Sequence, residues 1–472
     1  MAKLIPIYTW NKGVIKFNRR SDRLSKQPWF QGVLLLSCVI LAMLLANLPF
    51  TKEFYHTLLG TNLQMHIFNG EGIDIAFPRD MTVEKFINDI LMVIFFFTVG
   101  LEIKREIARG ELSSVKKAIL PVIAAFGGVI TPALIFTAIN HGSAAASGWG
   151  IPTATDIAFA VCILSMLGNK VPVSLKVFLT ALAIADDLIA ILVVALFYGG
   201  RINFLLLGIA VLVILFTLLL RRLGEKHMFP YVLAAIVVWG LFYYSGIHAT
   251  MSGVVMAFII PSRPRFNKNQ YVHKRNHYIH MLEEVDGIDD EPFPNGPQKH
   301  FLRKLESVAH GTMDMSYRVE HALSPWVNFL IMPVFALANA GVEITDPSYF
   351  NIFAYDPGLG SVSMGIFLGL LIGKPVGITL FSWIAIKARL GAMPAKADWK
   401  MFLAVACLGG IGFTMSIFVD TLSFGDQPAE VMNHLRDAGK IAVLLGSVCS
   451  GLLGVVLINL VHRLGGRGQA SA

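Results

Sequence analysis

Charge is scarce in this chain. Only 15% of its 472 residues are Asp, Glu, Lys or Arg, against 55% hydrophobic residues and a mean hydropathy of +0.63. A soluble enzyme of this length carries about a quarter charged residues, so that class is excluded. Cysteine is scarce too. Cys38, Cys162, Cys407 and Cys449 all lie in apolar stretches without paired ligand spacing, which argues for packing and against a disulfide framework or a metal site. Residues 1–28 are polar and basic and hold no short apolar core with a small-residue cleavage site, so no cleavable leader is expected there. No resident cofactor is expected.

What the chain has in quantity is apolar runs of the length that crosses a hydrocarbon core about 30 Å thick. Twelve are read, near 30–49, 86–103, 118–139, 153–168, 172–198, 203–220, 229–245, 247–262, 322–341, 363–386, 401–421 and 438–461. The fold class expected is an all-α integral membrane protein of about 12 transmembrane helices, with a transmembrane domain over 29–465 and a cytoplasmic tail over 466–472. The formal charge of +8 is sorted by membrane side rather than gathered into a nucleic-acid-binding surface. With residues 1–28 cytoplasmic, 32 of the 39 Lys and Arg fall on intracellular segments. The extracellular ones are Lys52, Arg79, Lys85, Arg201, Arg436 and Lys440. This asymmetry places both termini in the cytoplasm. The one cation left over, Lys374, lies inside a span.

Two connections stand out. The cytoplasmic loop 263–320 contains the acidic, Pro- and Gly-containing EEVDGIDDEPFPNGP and reads as a solvated, mobile insertion. It lacks the alternating oxygen ligands and closing Glu of a calcium loop. The external segment 63–77 reads LQMHIF, NGEG, IDIAF, two alternating strands around a turn. An isolated hairpin is marginal in water and leaves open edges, so it gains most by pairing with a second copy of itself, the alternative being a plain surface hairpin.

Four features place polar chemistry inside spans. ALAIADDLIAI at 181–191 holds adjacent carboxylates, Asp186 and Asp187, each costing about 2.5 to 3.5 kcal/mol at the centre of a lipid-spanning helix. Helix neighbours project about 100° apart, so one can face a water-filled path and the other a partner helix. TATDIAF at 153–159 brings Thr155 and Asp156 to membrane depth, where hydroxyls and freed carbonyls are hard donors suited to sodium, unless Thr155 or Asp156 only caps the helix. GLLIGKPVGI at 369–378 sets Lys374 about ten residues from either end of its span, too deep to snorkel, so a buried acid is expected to pair with it, either Asp186 or Asp156. CLGGIGFTMSIF at 407–418 has three glycines in four positions, which unwinds a helix or lets two helices pack closely.

Interrupted spans in matching places of two halves point to a transporter site built on broken helices from inverted repeats, here spans three to five and ten to twelve, with spans four and eleven broken. Where broken helices cross, paired N-termini, each about +0.5 charge, call for an anion and paired C-termini for a cation. Asp156 and Lys374 are the charges available.

The motifs TATDIAFA, ALAIADDL, LLIGKP and GIGFTMSIF, with FINDILMVIFFFTVGLEIKRE at 86–106, closely resemble the NhaA-type sodium/proton antiporters, in order and over nearly the whole transmembrane chain. The resemblance implies a bacterial inner-membrane antiporter exchanging Na+, and Li+, for H+. It implies an exchange site at Asp186 and Asp187, with Thr155 and Asp156 at the crossing of broken helices and Lys374 paired to an aspartate, foremost Asp186. It further implies a cytoplasmic region for pH response or cation access at Asp89, Glu102, Arg105, Glu106, Glu320 and His321, and a homodimer through the periplasmic hairpin. Two departures touch the pH-responsive part: Ser324 stands where family members carry a second histidine, and the 263–320 insertion is longer than theirs.

The expected mechanism is competition, since a buried carboxylate pair can hold protons or sodium but not both at once. Asp187 is read as the direct sodium ligand and Asp186 as the second proton carrier, which exchanges its lysine for a proton. More than one proton per sodium makes the exchange electrogenic. Two rivals are weighed. A sodium-coupled solute symporter on the same fold would need a roomy cavity with solute-specific polar groups. An intramembrane aspartyl protease is opposed by the lack of Gly-x-Gly-Asp in a span and by the lysine beside the acids.

Overall fold

The computed structural model describes residues 28–63, 65–69, 73–77, 81–200, 202–225, 227–286, 294–344, 351–356 and 358–469. The basic segment expected at 1–28, apart from its last residue, lies outside these, as do the hairpin turn 70–72, the acidic tract 287–293 and the last three residues of the 466–472 tail.

Long apolar runs with few polar interruptions satisfy their backbone internally, so helices dominate. In chain order come α1 (Pro28–Asn47), α2 (Lys52–Gly60), strands β1 (Met65–Asn69) and β2 (Ile73–Phe77), α3 (Val83–Arg109), α4 (Val115–Asn140), the tightly wound 3-10 segment α5 (Ala144–Thr153), α6 (Ile157–Met166) and α7 (Val173–Phe197). Then follow α8 (Phe204–Arg222), α9 (Phe229–Ser245), α10 (Thr250–Ile259), α11 (Lys268–Asp286), α12 (Gly296–Thr312), α13 (Met315–Asn339), α14 (Val362–Lys387), α15 (Trp399–Leu408), α16 (Phe413–Leu422) and α17 (Ala429–Gln469). Among the described residues, 8 helices are long and apolar enough to cross a membrane, and two bent pairs raise the number to 10. The pairs are α5 with α6, bent by 42°, and α15 with α16, bent by 50°. Helices α9 and α10 are apolar but shorter. Each of the twelve stretches read from the sequence falls on one of these helices or pairs.

The segment read as a mobile insertion departs from expectation. Two helices, α11 and α12, occupy most of 263–320. The acidic tract between them drew attention away from helix signals on its far side: Asn295 and Gln298 form a reciprocal capping box, with Pro297 in the first turn. The hairpin expected at 63–77 is present as an antiparallel pair in the register Met65 to Phe77, prolonged by a bridge from Asn62 to Thr82.

The chain divides into two compact units. One comprises 1–92, 106–199 and 328–472, and the other 93–105 and 200–327, so that α3 and α13 each contribute to both. In the second, Leu101, Tyr231, Val238, Phe242, Met256 and Val319 form a buried core, whereas α8 buries only Ala210 and Thr217 and is apolar nearly all round, as a helix facing hydrocarbon should be. In the first unit most of α7 is buried, which makes it the central helix there, and it carries Asp186 and Asp187. Both bent pairs belong to this unit, and each is the middle member of a run of three, α4 to α7 and α14 to α17.

Small residues set how close α14 comes to this centre. A Cβ at Gly377 would lie 2.1 Å from the Gly127 carbonyl oxygen of α4, and one at Gly127 would lie 2.3 Å from the Gly377 oxygen. The backbones therefore touch, as small-residue helix pairs in membranes do. Overpacking a tight contact costs about 1 to 3 kcal/mol or more. Gly377→Ala is accordingly expected to lower the melting temperature of the detergent-solubilised protein and to impair Lys374 placement one turn away; unchanged melting would show that the helices separate without cost.

Candidate functional site

The two bent pairs meet through their unwound stretches. The backbone N–H of Asp156 donates to the Ile411 carbonyl at 2.7 Å, tying the extended residues before α6 to the glycine-rich residues before α16. Glycine at 409, 410 and 412 leaves room for this: a Cβ on Gly410 would meet the Leu370 carbonyl and the Ser450 hydroxyl, each at 2.3 Å. The two readings of the glycine run, unwinding and close packing, both hold, because the unwound chain is what packs against α14 and α17.

Asp156 serves two helix N-termini. Its Oδ1 accepts the Phe159 N–H of α6 at 3.2 Å, while Oδ2 accepts the Thr414 N–H of α16 at 3.2 Å and the Thr414 hydroxyl. The helix cap weighed for Thr155 or Asp156 is real and belongs to Asp156, and the same carboxylate supplies the anion that two facing N-termini require.

Lys374 lies on the other side of the charge balance. It is wholly buried, forms an ion pair with Oδ2 of the equally buried Asp186, and donates to the Thr155 hydroxyl at 2.7 Å. That hydroxyl stands 2.7 Å from Asp186 Oδ2 and 2.8 Å from the Gly409 carbonyl at the C-terminal end of α15, with one hydrogen to donate to either. The acid left open by the sequence is thus Asp186, because Asp156 is committed to the helix ends. Asp186 Oδ1 makes no hydrogen bond among the described residues. Asp187, the next residue on α7, is 2% exposed. Lys374 reaches this position from a wide π turn, Gly369–Gly373. Pro375 cannot donate to, and would clash with, a carbonyl four residues back, and the extra residue in the turn relieves that contact.

The residues implied for pH response divide. Arg105 of α3 pairs with Glu320 of α13 and lies 3.5 Å from Glu102, so these three are together in the second unit. His321 stacks on Tyr317 with ring centroids 5.8 Å apart, and the Ser324 hydroxyl donates to the Glu320 carbonyl at 2.7 Å. Glu106 turns to the end of its own helix, where its Oε2 accepts the Glu111 N–H at 3.0 Å. Asp89 sits half-buried in a π turn, Ile87–Leu91, next to Asn88, whose amide exchanges reciprocal hydrogen bonds of 3.0 and 2.8 Å with Asn339.

Two polar residues of the site were missed in the sequence. Thr414 lies inside a motif read for its glycines, and its signal was a hydroxyl in the first turn of a half-helix. Ser447 of α17 accepts the N–H groups of Gly412 at 3.2 Å and Phe413 at 3.1 Å, replacing bonds that the break between α15 and α16 removes, and nothing in its own apolar run marks that duty. Phe413 itself has φ of +23°, a conformation rare for a residue with a side chain.

Comparison with known proteins agrees with this architecture. The family described as Na+/H+ antiporter 1 matches residues 22–458. The chain is 42% identical to the Na(+)/H(+) antiporter NhaA of Oleidesulfovibrio alaskensis, over 92% of this chain and 92% of the relative. It is 42% identical to the Na(+)/H(+) antiporter NhaA 2 of Flavobacterium johnsoniae over 92% of this chain and 90% of the relative, and 40% identical to the NhaA antiporter of Sulfurimonas denitrificans over 96% and 98%. A match across both bent pairs, the lysine-bearing α14 and the central α7 makes this chain a multi-pass membrane transporter that belongs to the Na+/H+ antiporter 1 family.

Proposed function

We propose that this protein exchanges Na+, and Li+, for H+ electrogenically across a bacterial inner membrane, through Asp186, Asp187, Thr155, Asp156 and Lys374. The observation that carries the reading is the wholly buried ion pair of Lys374 with Asp186, on the residue next to Asp187 and beside the crossing of the broken helices. Sodium arriving at Asp187 displaces its proton. On the return both carboxylates take up a proton, the one on Asp186 freeing Lys374, and both protons leave when the next sodium arrives and the lysine pairs again, so that two protons cross for one sodium and the membrane potential drives turnover. Thr155 links the lysine to the acid while they are paired and is released from the lysine when Asp186 takes its proton. Twelve spans, inverted repeats and cytoplasmic termini complete the proposal, with the β1–β2 hairpin on the periplasmic side as the contact of a homodimer.

The alternative, a sodium-coupled solute symporter, draws no support from the cavity beside the crossing. It measures about 570 Å³ and is lined by apolar side chains such as Leu36, Phe159, Ile163, Ile411 and Leu452; the hydroxyl it contains, that of Ser447, is already engaged with Gly412 and Phe413. Such walls suit hydrocarbon better than a polar solute.

The test is a proteoliposome assay without any organic solute. Sodium added outside should collapse an imposed pH gradient, faster when a potassium diffusion potential favours net charge movement. A requirement for a solute would favour the symporter, and indifference to the potential would remove electrogenicity. The same vesicles test pH regulation, assigned to Glu102, Arg105, Glu320 and His321 with Asp89 and Glu106. Glu320→Gln should shift the activation profile along the pH axis while keeping the maximal rate, and an unshifted profile would take the cluster out of that role.

A further inference from the structure

Asp420 is a fully buried acid that the mechanism above does not use. It lies on α16, six residues after Thr414, so about 9 Å along the helix from the crossing, and close to the last residue of that helix, Leu422. Neither of its oxygens makes a hydrogen bond among the described residues. The helix that carries it packs against α17, α5 and α13. The backbone of α17 approaches at Gly439, where a Cβ would lie 2.2 Å from Asp420 Oδ1. The charged groups of α17 acting on it are Arg436, Lys440 and the like-charged Asp437, and Tyr198 faces it from the end of α7.

A purely structural acid at such a place would grip its cation. Here Arg436 Nη2 donates instead to the Ser423 carbonyl at 3.2 Å, and Arg436 Nε is itself buried without a hydrogen bond. Two cations are thus close enough to favour a carboxylate and placed so that they do not bind it. An ionised carboxylate without hydrogen bonds in a dry position costs several kcal/mol, and a protonated one costs far less. The arrangement leaves both states within reach, as a group that must gain and lose a proton needs.

We propose that Asp420 is a proton-carrying residue on the half of the path between the exchange site and the extracellular end of α16. A hydronium ion of the outside water gives up a proton, its O–H bond breaking as one forms at the Asp420 carboxylate; that bond breaks in turn as the proton passes inward and forms an O–H at the exchange carboxylates. No oxidation state changes. The inference rests on the exchange reading above and adds a station to it.

The experiment reconstitutes wild type and Asp420→Asn in vesicles of known orientation and varies the pH on each side separately at saturating sodium. The asparagine variant should lose the dependence of rate on external pH and keep the dependence on internal pH. A structural role would scale the rates equally at every pH. Infrared difference spectra between high and low pH provide a readout independent of transport, in which the variant should lack one protonated-carboxyl band. Wild type without sodium-coupled proton movement would remove the exchange reading. Wild type that exchanges, with a variant that traces its external-pH dependence or changes only its external sodium KM, overturns the role of Asp420 alone. Should the asparagine variant not accumulate, Arg436→Gln must move the external-pH profile, and an unmoved profile overturns the proposal equally.

Discussion

Asp187→Asn is expected to abolish sodium-induced collapse of a pH gradient in proteoliposomes while the protein still accumulates and melts normally. The amide keeps the shape of the carboxylate and removes its charge and its exchangeable proton. An ion contact of about 4 Å at an effective dielectric of about 20 is worth about 4 kcal/mol, which corresponds to about three decades of affinity. Loss of the proton removes the competition as well, so raising sodium cannot restore exchange. Folding should not suffer, because burying a neutral amide costs less than burying an unneutralised carboxylate. Gradient collapse at the wild-type rate in the asparagine variant would move the sodium site away from Asp187, with Asp186 as the next acid to substitute.

Much of this site was legible because the bilayer makes polar residues expensive. Asp156, Asp186, Asp187 and Lys374 each interrupt an apolar run, and each interruption has to be offset by something the structure supplies. The glycines at 409, 410 and 412 were legible for the same reason, since they weaken a helix where one is otherwise obligatory. The partner of Lys374 was not decided by pattern, because sequence spacing does not say that both oxygens of Asp156 are taken by helix N-termini from two different spans. The π turns at Val327–Ile331 and Gly369–Gly373 left only the indirect traces Pro333 and Pro375. Asp420 escaped notice because it follows directly on a motif read for its glycines and stands near a helix end, where an acid looks like an ordinary approach to the interface. Its isolation from Arg436 is a matter of side-chain geometry that no spacing rule contains. The helices α11 and α12 were missed because a conspicuous acidic tract masked polar helical sequence on either side, and polar helices carry no apolar stripe to betray them.

The second large effect is expected at Lys374. Substituting it with alanine leaves Asp186 buried with its hydroxyl neighbour Thr155 and no counter-charge. Breaking a buried pair from one side costs about 3 to 5 kcal/mol, so Lys374→Ala should lower the melting temperature sharply and reduce the amount of folded protein in the membrane. The double variant Asp186→Asn with Lys374→Gln removes both charges, and its stability should recover most of that loss, since two neutral polar chains can hydrogen-bond with Thr155. Activity should separate from stability in this pair. With Asp187 intact, the double variant retains a carboxylate that trades one proton for one sodium, so exchange should persist but become indifferent to an imposed membrane potential. The contrast is informative in each direction. If the double variant is as unstable as the single one, the pair does not set the stability of this region. If it remains electrogenic, the second proton travels on a group other than Asp186, and Asp420 becomes the first residue to substitute in that background.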